Sequence, residues 1–252
     1  MNSQRQQQEG TAMETIDDRI SRLVKRAVEE QYANYMESAS ELSRWHCPEL
    51  DKENFWKLLS VTAQTIMAKR GVYHHFVIDA NNREIIRQMH LYVIGSEQCK
   101  WNIHKGLFLG GKVGCGKTVL MQSFCQVLHV VSGLNIEMIP ATELYKRIIK
   151  DGISSLAGRP LFIDELGREQ LEVSDFGNRI RPIQDLMALR YETGARTFFT
   201  SNFKLSTLSG GKNEQGEQKK GYGEYIVERI QETVNVAILP GESRREKWEE
   251  QQ

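Results

Sequence analysis

With 252 residues, 40% of them hydrophobic, and only five prolines, the chain has the composition of a folded protein able to bury one α/β core and a smaller appendage. Its 33 basic and 33 acidic residues cancel, and they stay balanced along the chain, at 13 to 14 up to residue 100 and 20 to 19 beyond it. That balance excludes an overall field recruiting nucleic acid or an anionic membrane, so any nucleic-acid contact has to be a local patch.

The four cysteines, Cys47, Cys99, Cys115 and Cys125, form no CxxC pair, and no secretory leader or apolar run of membrane-spanning length is evident. A reduced, cytoplasmic setting without a membrane partner is expected. His46-Cys47 and His74-His75 lack the paired spacing of metal ligands and read as ordinary packed or surface side chains.

Residues 1–12 are polar and read as a disordered tail. Thr15, with Asp18 three residues on, has the pattern of a helix N-cap, and Ile16, Ile20, Leu23, Ala27 and Val28 then recur at helical spacing. A second helix is expected from about Asp51 to Arg70, with Phe55, Leu59, Thr62 and Ile66 on one face and Gly71 as its stop. A third runs from about Asn82 to Tyr92. Residues 13–84 thus read as a small helical region, and 85–252 as the domain that follows.

From Lys105 the rhythm alternates between strand and helix, with apolar strand candidates at 106–110, 135–139, 160–164, 196–200 and 234–239. Five short strands separated by helices predict an α/β fold with a five-stranded, mainly parallel sheet covered on both faces. The glycine-rich segment 209–223, SGGKNEQGEQKKGYG, reads as a mobile loop.

Gly111-Lys112-Val113-Gly114-Cys115-Gly116-Lys117-Thr118 satisfies G-x-x-x-x-G-K-[ST], with a strand before it and a helix after it. Glycines let backbone N–H groups turn inward around phosphate oxygens, the lysine reaches the outer phosphates, and the helix adds the positive end of its dipole. Gly111, Gly114, Cys115, Gly116, Lys117, Thr118 and Val119 are therefore the expected nucleotide-binding residues, with Thr118 also a Mg²⁺ ligand.

Leu161-Phe162-Ile163-Asp164-Glu165 is the matching acidic strand: Asp164 is placed to hold Mg²⁺ and Glu165 to polarise an attacking water. Arg196-Thr197-Phe198-Phe199 runs out into Thr200-Ser201-Asn202, where the Asn202 amide can orient that water. Arg229 precedes the last strand and reads either as a surface arginine pairing with Glu228 or Glu232, or as a cation completing a neighbouring subunit's site. Arg244, in Gly241-Glu242-Ser243-Arg244-Arg245, raises the same question for the nucleotide of its own subunit.

In their order and spacing these segments resemble the AAA+ ATPases of the helicase-loader (DnaC-type) and transposition-helper (IstB-type) group, over roughly residues 85–245. GGKVGCGKT looks like the Walker A motif, LFIDELG like Walker B, RTFFTSNF like the sensor-1 strand, ERI at 228–230 like the segment bearing an arginine finger, and GESRR like a sensor-2 position. The resemblance implies a P-loop AAA+ domain using ATP and Mg²⁺, with Arg229 acting in trans and Arg244 in cis. It also implies self-assembly on DNA, single-stranded or duplex, and a replicative helicase or transposase as partner, gripped by the N-terminal helical region. The expected function is slow ATP hydrolysis in helicase loading or transposition. Two other readings stand beside it: a nucleotide-gated adaptor without productive turnover, and a metabolic P-loop kinase, which has no use for a Glu165 base combined with a trans arginine.

Only about twenty residues separate Pro140 from Pro160, too few for the extra helix with which initiator-type and loader-type relatives touch single-stranded DNA. Lys146, Arg147 and Lys150 on the intervening helix read first as a solvated face.

Overall fold

The computed structural model describes residues 16–175, 177–212 and 218–245. The expected tail at 1–12 and the Thr15 cap lie outside the described residues. Chain contacts divide the protein into two units, residues 1–44 and 45–252. In the first, helix α1 (Ile16–Ser43) carries Ile16, Ile20, Leu23, Val24 and Val28 as exposed apolar side chains.

The second unit is built on a sheet of five strands: β1 (Gly106–Gly111), β2 (Glu137–Pro140), β3 (Leu161–Leu166), β6 (Thr197–Ser201) and β9 (Val234–Leu239), in the order β2-β3-β6-β1-β9. Every pairing is parallel, as in Leu107 opposite Phe198 and Leu161 opposite Thr197. Four of the five strands start within a residue of their expected positions, and β2 starts two residues later than expected. This is an α/β architecture with a parallel sheet covered by helices on both faces.

Successive strand residues feed opposite faces. Leu107, Leu109, Phe162 and Phe198 enter one core, while Phe108, Leu161, Ile163 and Phe199 enter the other. The second core is closed by α5 (Leu144–Asp151), α6 (Pro182–Thr193) and α7 (Glu224–Thr233), through residues such as Leu144, Leu186 and Ile230. On the first face the strand-helix alternation supplies only α4 (Lys117–Ser132), with Met121, Phe124 and Leu128 buried.

A parallel sheet buried on one face only would leave an apolar surface in water, and the N-terminal helices supply what α4 cannot. Helix α2 (Lys52–Ala68), capped by Asp51 accepting from the Asn54 N–H at 2.9 Å, brings Phe55 and Leu59 into the α4 core. Helix α3 (Arg83–Val93) adds Ile86, Met89 and Tyr92. The Tyr92 hydroxyl donates to the Lys105 carbonyl at 2.8 Å and accepts from Arg196 Nη1 at 2.9 Å, joining α3 to the entries of β1 and β6. Burial pushes the Tyr92 hydroxyl pKa up to about 12, so it stays protonated and serves as a donor. These two helices therefore lie on the sheet side of the 44/45 division.

Arg190 on α6 is buried. It donates to Thr197 Oγ1 and the Arg196 carbonyl, each at 2.9 Å, and to the Leu156 carbonyl, and so ties α6 to the mouths of β3 and β6. Burial lowers its pKa to about 10, which still leaves it charged at neutral pH.

Two antiparallel ribbons went unread in the sequence. One, β4 (Val173–Asp175) with β5 (Asn178–Ile180), follows the acidic strand. The other, β7 (Gly211–Lys212) with β8 (Gln218–Lys219), lies inside the segment expected to be loop. Strands of two or three residues are too short to display a period-2 pattern. Between β2 and β3 the helical content is α5 with short 3₁₀ turns at 141–143 and 153–156, in keeping with the short spacing.

If α2 is part of the core, Phe55→Ala will destabilise the sheet domain by about 3–5 kcal/mol, seen as a lowered midpoint in urea denaturation followed by far-UV circular dichroism. An unchanged midpoint would mean that α2 is a detachable arm.

Candidate active site at the carboxyl edge of the sheet

The connection leaving β1 runs to α4 on one face of the sheet, while the connection leaving its neighbour β6 runs to α7 on the other, so adjacent strands send the chain to opposite faces. In open parallel sheets a crevice forms outside the carboxyl ends of the strands at such a switch. The Gly111–Thr118 turn occupies that position. Gly114 and Gly116 take φ values of 81° and 103°, a left-handed backbone that admits glycine without strain. Space is also short, because a Cβ on Gly114 would meet Ser243 Oγ at 2.2 Å. Helix α4 then starts with no side-chain cap, leaving its first N–H groups directed at the turn.

Lys117 is buried, and its ammonium donates to the carbonyls of Gly111 at 2.8 Å and Lys112 at 2.7 Å and to Asn202 Oδ1 at 2.7 Å. Desolvation lowers its pKa, opposed by the nearby Cys115, Glu165 and Asp164. Asn202 thus reaches the site from the exit of β6, two strands' ends meeting through one lysine. Cys115 is buried, its Sγ 3.9 Å from Lys117 Nζ.

The other half of the site centres on Asp164. Its Oδ1 accepts from Thr118 Oγ1 at 2.9 Å and from Thr200 Oγ1 at 2.5 Å, and Thr200 Oγ1 in turn accepts from the Glu165 N–H at 2.9 Å. Glu165 is the one non-glycine among the described residues with positive φ, at 58°, and the β3–β6 register shifts between Ile163 and Leu166. Thr200 therefore bonds both Asp164 and Glu165 at the point in β3 where the register shifts. The Glu165 carboxylate pairs with Arg168 Nη1 at 2.9 Å. Neither Thr200 nor Arg168 was singled out in the sequence. For Thr200 the available signal was a hydroxyl directly after the apolar pair Phe198-Phe199; for Arg168 there was none.

Arg244 lies against the turn. Its N–H donates to the Gly114 carbonyl at 3.0 Å, its Nε to the Cys115 carbonyl at 3.1 Å, and its Nη2 to Asp79 Oδ2 at 2.9 Å. Asp79, in the segment between α2 and α3, escaped the sequence reading. Burial raises its pKa, but the Asn81 N–H and the Arg244 charge outweigh that and hold it below the usual carboxylate range. Lys112 and Glu242 add a further tie between turn and C-terminal segment. Arg229, by contrast, is not among these residues: it lies on α7 against α6, in contact with Tyr191, Tyr225 and Glu192.

The residues fit a magnesium nucleotide. The glycine turn and uncapped helix start present backbone donors, Lys117 is a buried cation, and Thr118 with Asp164 forms the all-oxygen set that Mg²⁺ prefers.

Among solved structures the chain is similar to the DnaC helicase loader, at 18% identity over 75% of this chain and all of that one, with a TM-score of 0.48. It is similar to DnaI at 22% identity, over 68% of this chain and 87% of that one, also with a TM-score of 0.48. AMPPCP-bound DnaA from Aquifex aeolicus matches at 16% identity, over 69% of this chain and 53% of that one, with a TM-score of 0.46. No protein-family model and no curated protein sequence matches the chain. Among the described residues no helix is long and apolar enough to cross a membrane.

Thr200→Val keeps the shape of the side chain but removes the donor to Asp164 and the acceptor of the Glu165 N–H. The expected cost is about 1–3 kcal/mol of stability, measured by chemical denaturation, and a change within error of zero would show that the hydroxyl's bonds to Asp164 and Glu165 do not support the fold.

Proposed function

We propose that the protein is an AAA+ ATPase that binds ATP with Mg²⁺, hydrolyses it slowly, and acts as a helicase loader in DNA replication or as a transposition helper. The observation that carries this reading is the tie of Thr118 and Thr200 to one carboxylate oxygen of Asp164, beside Lys117 and Asn202. The loader or helper role rests on the resemblance of the five motifs in their order.

In this reading the backbone of Gly111, Gly114, Cys115, Gly116 and Val119 and the side chain of Lys117 hold the phosphates. Phosphate oxygens replace the carbonyls that Lys117 contacts in this structure. Thr118 and Asp164 hold Mg²⁺, which when bound neutralises charge on the phosphates. Glu165 takes a proton from the attacking water, Asn202 orients that water, and Arg244 contacts the nucleotide of its own subunit while Arg229 serves that of a neighbour. Glu165 acts once Arg168 releases its carboxylate. Partner gripping is assigned to the helical region 13–84, and foremost to α1, whose apolar side chains are exposed, since α2 and α3 already serve the core.

The pairing of Glu165 with Arg168 also favours a second reading, a nucleotide-gated adaptor that binds without productive turnover. The two separate on hydrolysis in the presence of a replicative helicase and single-stranded DNA, which the adaptor leaves at background.

Glu165→Gln is expected to lower ATP turnover by about 10²–10⁴-fold while a fluorescent ATP analogue still binds, whereas Lys117→Ala is expected to abolish binding of that analogue. Hydrolysis by Glu165→Gln at the wild-type rate would remove Glu165 from the mechanism.

A further inference from the structure

Two arginines at the α6–α7 contact are treated in opposite ways. Arg190 is buried with its donors in short hydrogen bonds, as a structural staple. Arg229 has its guanidinium carbon 4.2 Å from the Tyr225 ring centroid and 4.7 Å from that of Tyr191. Its N–H contacts are long, 3.5 Å to the Ala188 carbonyl and 3.7 Å to a Glu192 carboxylate that is itself mostly exposed. Exposed ion pairs of that kind hold a side chain weakly.

Aromatic rings engage the face of a guanidinium, whereas its five N–H donors lie in its plane. Tyr191 and Tyr225 therefore restrict the rotamers of Arg229 without consuming its donors. Tyr191 is itself fixed, because its hydroxyl donates to Glu232 Oε2 at 2.6 Å, one turn from Arg229 on α7. Both rings remain partly exposed, Tyr225 at 60% and Tyr191 at 39%, so the cradle opens on the protein surface. An oriented cation whose planar donors are held only by these long contacts, its side chain 17% exposed beneath the two rings, fits a phosphate oxygen arriving from outside, since the entropy of fixing the side chain is lost in advance.

We propose that Tyr191 and Tyr225 are positioning residues that hold Arg229 ready for a phosphate bound in the Lys117–Thr118 site of a second copy of this chain. This rests on the nucleotide-site reading above and adds to it the residues that orient the arginine.

The test uses full-length Arg229→Ala, Arg229→Lys, Tyr225→Ala, Tyr225→Phe and the Tyr191→Ala/Tyr225→Ala double variant, each first checked for unchanged circular dichroism and fluorescent-nucleotide affinity. Two readouts follow: the ATPase rate against protein concentration, and Mg·ATP-dependent self-association in a Glu165→Gln background, by sedimentation velocity, where turnover plays no part.

Tyr225→Ala and the double variant are expected to lower the rate at high protein at least fivefold and to raise the self-association midpoint about tenfold. Tyr225→Phe, which keeps the ring, stays within twofold of wild type, and Arg229→Lys, which lacks the planar fork, behaves like Arg229→Ala. If Arg229→Ala collapses both readouts while the double tyrosine variant retains them, the positioning role is overturned. If Arg229→Ala changes neither, the arginine has no role in trans and the proposal falls with it. A wild-type protein that binds no nucleotide refutes the site reading instead, an outcome distinct from both.

Discussion

A parallel sheet has no wet face, and that constraint organises this protein. Of the helices that the strand-helix alternation supplies, α5, α6 and α7 cover one side and α4 alone covers the other. The exposed half of the α4 face is closed by α2 and α3, which precede the sheet in the chain. The buried bonds of Tyr92 to Lys105 and Arg196 secure that closure at the end of the sheet opposite the phosphate turn. The same asymmetry places the crevice, since the turn after β1 is where the chain leaves for the lone helix.

At the carboxyl edge, polar groups are held by one another in a chain. Thr118 and Thr200 converge on Asp164, Thr200 carries the Glu165 N–H, and Asn202 meets Lys117. Hydrogen bonds in such a setting are strong because water is scarce, and each unpaired member would be costly. Two groups with free roles in the proposed chemistry are instead held by neighbours outside the chain, Glu165 by Arg168 and Arg229 by its tyrosines. The groups around Lys117 and Asp164 are thus tied to one another, while Glu165 and Arg229 are engaged by neighbours outside that chain of bonds.

The C-terminal segment adds a second layer. Ser243 packs where a Gly114 side chain would stand, and Arg244 bridges the turn to Asp79. Through Asp79 the segment between α2 and α3 touches the phosphate turn, so the helices that complete the core also reach the candidate site.

The sequence alone determined the elements whose signal is local. Glycine spacing followed by Lys117-Thr118 located the turn, runs of β-formers located all five sheet strands, and helical periodicity located α2 and α3. Short ribbons such as β4–β5 left no trace, because three residues cannot show a period. Tertiary structure decided everything that depends on which distant segments meet: that α2 and α3 close a sheet face, that Thr200 bonds Asp164 and the Glu165 N–H, and that Asp79 anchors Arg244. It also set apart two arginines, Arg190 as a buried staple and Arg229 as a half-buried cation stacked between tyrosines. A sequence states which groups exist and at what spacing; burial and the partners of each hydrogen bond arise only when the chain packs, and these assign the groups their roles.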